Sequence, residues 1–273
     1  MLKRALSLLF VISLNACAGN ETIDIRYLVV DTLGKTPGDQ QKVSSALHAY
    51  TDTLNEYFTN SEVALRAEVA DISFIAIDTD ESLAILKNMQ EEREGFANMF
   101  SEARQLGADY TFAITQRLLI DGQSRCGRAI AVNQSIAAIS STRTAFAVVN
   151  YACGAHTIAH ELGHLMGLNH GDLVNRCNPN HGHSKALTPY AKGFGEGNCD
   201  GVFQEGEFGD IMVGGWMTTI SGKGRKNLPI YSNPRITDER CGQQHRCGDP
   251  ESGDAARTLN EHAKHYSGHE SKP

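Results

Sequence analysis

The sequence predicts an α/β (α+β) fold, with a mixed, mostly parallel sheet and its helices in an N-terminal part and a smaller irregular C-terminal part closed by a terminal helix. Three observations carry this. Strand-like and helix-like runs alternate up to Val149, the pattern of helical crossovers between parallel strands. A run that sets histidines four apart on one helix face is then cut by Gly167. Beyond His170 the chain is Gly-rich and loop-like, and Gly253 to about Tyr266 is its one clear regular element.

The elements follow in order. Ile23–Val30 reads as a strand, and Asp39–Phe58 carries helix-spaced apolar residues at Val43, Leu47, Tyr50, Leu54 and Phe58. A strand is expected around Leu65–Ile77, and one or two helices over Glu81–Leu106, broken at Gly95. Tyr110–Leu118 reads as a further strand. Short strands at Ala129–Asn133 and Thr144–Val149 precede the histidine-bearing helix.

That helix opens the run His160-Glu161-Leu162-Gly163-His164-Leu165-Met166-Gly167-Leu168-Asn169-His170, which is H-E-x-x-H-x-x-G-x-x-H. Residues four apart on a helix differ by about 40° in azimuth and about 6 Å in rise, so His160 and His164 can direct two ring nitrogens at one metal ion. Glu161 lies about 100° round the helix, within reach of a water on that metal but poorly placed as a ligand, which fits a general base. A continued helix would carry His170 about 15 Å along the axis from His160. The helix must therefore stop, and Gly167 can stop it, because glycine enters the left-handed conformation of a helix C-terminus without a steric penalty. Three histidines leave the fourth position of a zinc ion to water, the open type of site. Chance would produce the full motif in such a chain about 0.0001 times. A closed structural zinc site would draw a cysteine ligand, and none lies in the motif.

The long motif resembles that of the metzincin clan of zinc endopeptidases. The resemblance implies a methionine turn downstream, and Gly209-Asp210-Ile211-Met212-Val213-Gly214-Gly215 looks like it, with Met212 beneath the zinc. Cys153 seven residues before His160, Cys126-Gly127-Arg128-Ala129, Pro229–Pro234 and Asp254–Glu261 are similar to the reprolysin (adamalysin-like) branch, in its bacterial type. The likeness runs roughly from Ile23 to Glu261, strong from Cys126 onward and topological before it. Two positions depart from the pattern. Gly214 stands where some metzincins place a zinc-binding tyrosine, which leaves three protein ligands, and Gly171 follows His170 where reprolysins commonly have aspartate, with Asp172 next. The resemblance further implies that the strand Arg128–Val132, with Arg128, Ala129 and Ile130, is a sheet edge that pairs with an extended substrate. It implies a specificity pocket walled by residues after the turn, such as Trp216 and Tyr231, and it supports a Cys126–Cys153 disulfide.

Lys3 and Arg4 followed by apolar Ala5–Leu14 read as an export signal too short to span a bilayer. Two processing routes compete. Leu14-Asn15-Ala16-Cys17 resembles a bacterial lipobox, in which Cys17 becomes a lipidated first residue attached to the membrane, while Ala16-Cys17-Ala18 fits ordinary cleavage before Gly19. The shortness of the signal favours lipidation. The expected divisions are a signal at 1–18, an N-terminal catalytic subdomain at 19–170 and a C-terminal subdomain with the methionine turn at 171–273. No propeptide is expected between signal and catalytic fold. The address is extracytoplasmic, either lipid-anchored to a bacterial envelope or secreted and periplasmic.

Both routes remove Cys17 and leave Cys126, Cys153, Cys177, Cys199, Cys241 and Cys247, an even set suited to an oxidising compartment. Cys177 with Cys199 and Cys241 with Cys247 are the local guesses for the remaining pairs. Loss of Lys3 and Arg4 takes the formal net charge of −7 to −9, which argues against a nucleic-acid partner. His181, His183, His245, His262 and His265 lack complete ligand sets nearby and read as surface histidines, and the acidic run Glu196–Asp210 lacks the ligand spacing of a calcium loop.

Motif and resemblance together imply a zinc-dependent endopeptidase acting on protein or peptide substrates. His160, His164 and His170 would hold Zn2+, and Glu161 would take a proton from a metal-acidified water and pass it to the leaving amine. The competing reading is a catalytically silent zinc-binding surface or interaction protein that keeps the fold. The intact Glu161 argues against it.

Overall fold

The first strand, β1 (Glu21–Val30), is buried along most of its length, as an apolar strand covered on both faces by helices must be. The computed structural model describes residues 21–130, 135–178, 185–213 and 226–269. The predicted signal with Cys17, and Trp216 and Gly214 after the methionine turn, lie outside the described residues.

Helix α1 (Pro37–Asn60) starts where Thr36 Oγ1 accepts the Asp39 N–H, with Pro37 in its first turn, and it buries Val43, Leu47, Thr51, Leu54 and Phe58. Tyr50, expected in this stripe, is only half-buried, because its hydroxyl reaches out to donate to the Tyr151 carbonyl at 3.4 Å. Strand β2 (Leu65–Ile75) runs parallel to β1. The predicted helical stretch resolves into two helices, α2 (Ser82–Gln90) and α3 (Met99–Leu106). The break falls at Gly95, which sits in a 3-10 turn packed against the Ala76 carbonyl so closely that no Cβ fits.

Strand β3 (Tyr110–Thr115) pairs parallel with β1, and a small hairpin, β4 (Leu119–Ile120) and β5 (Gln123–Ser124), leads to β6 (Gly127–Ala129). The short helix α4 (Ile136–Ile139) then precedes β7 (Phe146–Asn150). The sheet order is β2-β1-β3-β7-β6. Every pairing in this sheet is parallel except β6 with β7, so β6 is the antiparallel edge strand. Ile130 continues the pairing by donating its N–H to Phe146 O, and the rest of the expected edge strand, Ala131–Asn133, lies outside the described residues.

Helices cover both faces of the sheet. One apolar cluster joins α1 and the histidine helix α5 (Gly154–Leu165) to one face, and a second joins α2 and α3 to the other. After α5 come α6 (Asp172–Cys177), two minor strand pairs, β8 (Gly195–Glu196) with β9 (Phe208–Gly209) and β10 (Asn233–Thr237) with β11 (Arg246–Cys247), and a terminal helix. That helix is interrupted at His262, giving α7 (Ala255–Glu261), capped by the Asp254 side chain, and α8 (Ala263–Tyr266). It returns to the main core: Tyr266 is fully buried and its hydroxyl donates to Met166 O. The first apolar cluster thus runs across residue 170 and includes Ala191, Ile211, Tyr231 and Leu259. Among the described residues no helix is long and apolar enough to cross a membrane.

Candidate zinc centre

Helix α5 delivers the first two histidines and Gly167 delivers the third. The Gly167 N–H donates to His164 O and the Leu168 N–H to Gly163 O, with Gly167 at φ +90, which is the paired closure that a left-handed residue gives a helix end. The chain then runs beside residues 191–193, with Asn169 N–H on Ala191 O and Gly193 N–H on Asn169 O. This backbone pairing holds His170 against the helix. It also explains Gly171, since a Cβ there would collide with the Gly193 carbonyl and no aspartate fits.

The three Nε2 atoms converge. They lie 3.1 Å apart for His160 and His170, 3.2 Å for His164 and His160, and 3.2 Å for His164 and His170. Ligands at about 2.0–2.1 Å from a tetrahedral zinc stand about 3.3–3.4 Å from one another, so the spacing fits. The opposite ring nitrogens fix the tautomers: His160 Nδ1 donates to Ile211 O at 2.7 Å and His164 Nδ1 to Leu168 O at 3.1 Å. The Nε2 lone pairs of His160 and His164 are thereby turned to the common point. Among the described residues these three form the one cluster of histidine, cysteine or carboxylate groups able to hold a metal ion; His245, His262 and His265 join no such cluster, and His181 and His183 lie outside the described residues.

Glu161 is buried and packs over β6. Gly127 makes this possible, since a Cβ at that position would stand 2.5 Å from Glu161 Oε1 and 2.7 Å from Thr157 Cγ2. Burial raises the Glu161 carboxyl to about 8, while an N–H bond from Ala129 and the nearby Arg128 charge pull it down. The segment carrying these contacts is tied to the start of α5 by the Cys126–Cys153 disulfide. Cys177–Cys199 and Cys241–Cys247 complete the set, so all three bridges pair as the sequence suggested.

Met212 is fully buried against Gly163 of α5, whose missing side chain leaves room for the thioether sulfur. Arg128 reaches α2, where its guanidinium donates to Ser82 Oγ at 3.1 Å, and Ala129 and Ile130 are half-buried along the edge. Tyr231 differs from the expected pocket wall. It is fully buried, stacks on Phe58 and donates its hydroxyl to Ala159 O at 2.8 Å, so it backs the histidine helix and presents no surface to a substrate.

Sequence reasoning overlooked Asp210 and Gly127. Burial raises the Asp210 carboxyl to about 7, opposed by N–H bonds from Phe194, Val213, Ser232 and Met212. Its one signal was a carboxylate directly beside the apolar turn.

Three imidazole nitrogens that converge beside a helix ending in a glycine turn, with Met212 buried against that helix, are the arrangement expected of a metzincin-type zinc centre. The three histidines are placed to hold zinc. Residues 44–171 match the family described as metallo-peptidase family M12B, reprolysin-like. Among curated proteins it is 32% identical over 120 residues to a peptidyl-Asp metalloendopeptidase of Pseudomonas aeruginosa, covering 42% of this chain and 18% of that protein. It is 25% identical over 218 residues to a peptidyl-Asp metalloendopeptidase of Stenotrophomonas maltophilia, covering 78% of this chain and 46% of that protein. The chain thus spans less than half the length of either relative. A chain in a solved chaperone–substrate complex shares the fold over 92% of this chain and 36% of its own length, with a TM-score of 0.63 and 18% identity.

Proposed function

We propose that the protein is a zinc-dependent endopeptidase that hydrolyses peptide bonds in protein substrates. The observation that carries this is the convergence of three oriented Nε2 atoms beside a buried carboxylate that makes no part of the ligand set. When bound, zinc would supply an electrophile that polarises the scissile carbonyl and acidifies a water. Glu161, buried and held by the Ala129 N–H, would take the proton from that water and hand it to the leaving amine. The outward edge of β6 offers main-chain groups to an extended peptide.

The names of the relatives extend the proposal to cleavage beside aspartate. Three disulfides support an extracytoplasmic address, with lipid attachment at Cys17 as the favoured route.

The test is an unbiased peptide-library digest with and without chelator, using wild type and Glu161→Gln. Chelator-sensitive cleavage enriched beside aspartate is expected, and Glu161→Gln should keep stoichiometric zinc while losing at least about 100-fold in rate, the scale of a general base. Undiminished cleavage by Glu161→Gln refutes the mechanism. A wild type that binds zinc and cleaves nothing in the library turns the reading to a silent zinc-binding protein.

A further inference from the structure

The turn that carries Met212 hangs from one buried carboxylate. Asp210 is 0% exposed, and its Oδ2 accepts the N–H groups of Phe194 and Ser232 at 3.0 Å each, while Oδ1 accepts that of Val213 at 2.9 Å. The Met212 N–H is a further donor. A carboxylate offers about four acceptor sites, so this one is fully engaged. The donors come from three stretches of chain: the segment entering β8, the turn itself, and the segment entering β10. The backbone of the turn is bonded the same way, with Asp210 N–H on Phe194 O, Ile211 N–H on Ile230 O and Val213 N–H on Asp210 O.

Ile211 sits inside this bracket, between Asp210 and Met212. Its carbonyl is the group that accepts the His160 Nδ1–H at 2.7 Å. The position of that oxygen sets both the tautomer and the ring plane of the first histidine, and an outer partner of this kind governs how well an imidazole serves a metal. The fit around the bracket is close: a Cβ on Gly193 would stand 2.7 Å from both Asp210 Oδ1 and Met212 Cβ.

We infer that Asp210 is a positioning residue for the zinc centre: by gathering the N–H groups of the methionine turn onto one carboxylate, it fixes the Ile211 carbonyl and through it the His160 ligand. The inference rests on the zinc-centre reading above. It separates Asp210 from a carboxylate that serves stability alone, such as Asp254, which is equally enclosed but caps α7 and pairs with Arg235 and makes no bond toward the histidines.

Asp210→Asn is nearly isosteric, yet its amide oxygen can serve only one pair of donors and its NH2 faces the other pair. Zinc affinity, measured on the purified full chain by competition with a chromogenic chelator, should fall about 10–100-fold. The visible absorption bands of the cobalt(II)-substituted protein should shift as well. Asp254→Asn should lower the melting temperature and leave both metal readouts at wild-type values. If Asp210→Asn does not fold, Gly193→Ala disturbs the same bracket without removing its charge and should move both readouts in the same direction. Wild-type zinc affinity and an unchanged cobalt spectrum in Asp210→Asn or Gly193→Ala overturn the inference, as does an equal loss of affinity in Asp254→Asn. A wild type that binds no zinc at all overturns the zinc-centre reading itself.

Discussion

Gly127→Ala tests how tightly the proposed base is seated. Gly127 is absent from the glycines with positive φ, so alanine is acceptable to the backbone and the substitution probes contact alone. The new methyl carbon would lie 2.5 Å from Glu161 Oε1, 2.7 Å from Thr157 Cγ2 and 2.8 Å from Glu161 Cγ, against the roughly 3.4 Å at which ordinary contact begins. Glu161 must retreat by nearly 1 Å, because β6 is held from behind by pairing with β7 and by the Cys126–Cys153 bridge. That retreat draws the carboxylate off the Ala129 N–H. A displacement of about 1 Å in a reacting group costs on the order of 100-fold in rate, or about 2.7 kcal/mol of barrier. The assay is kcat and KM on a fluorogenic peptide with zinc measured on the same sample. We expect kcat to fall by about 100-fold with zinc still stoichiometric, since no histidine is touched. An unchanged kcat would refute the account of how Glu161 is held, and a loss of zinc would show that β6 supports the ligands as well.

Two further outcomes are expected. Replacing Cys126 and Cys153 together by serine opens a loop of 27 residues in sequence separation and should lower unfolding free energy by about 3–4 kcal/mol, read by urea titration; an unchanged midpoint rejects the staple. Cys17→Ser should move the protein from the detergent-extractable membrane fraction to the soluble one, and a wild type already soluble with Gly19 as its first residue rejects lipid attachment.

Most of the sheet was legible because its strands are apolar runs long enough to mark themselves, as β1 and β3 do. Strand ends were less so: β6 begins at Gly127, two residues before the expected start, because glycine lowers strand propensity while the contact with Glu161 demands it. The histidine triad was legible in full, since helix geometry and one glycine determine it. Tyr231 misled because sequence distance from the methionine turn does not say which way a side chain faces. Its ring points inward at Phe58 and Ala159, which only the packing of α1 against α5 decides. Asp210 was invisible for a related reason. Its partners are backbone N–H groups, which every residue owns, so nothing in the sequence singles them out.

The two overlooked residues divide the support of the site between them. Gly127 and the Ala129 N–H approach Glu161 from the sheet edge, and Asp210 approaches His160 from the turn beneath, through the Ile211 carbonyl. The two brackets share no residue: one depends on β6 and a disulfide to the start of α5, the other on backbone bonds to the segments entering β8 and β10. Independent supports should fail independently. Disturbing the upper one leaves the ligands in place and slows the proton transfer, whereas disturbing the lower one loosens the metal before it alters the base. The same chemistry could be lost either way, so rate alone cannot tell the brackets apart, and zinc content measured beside rate can.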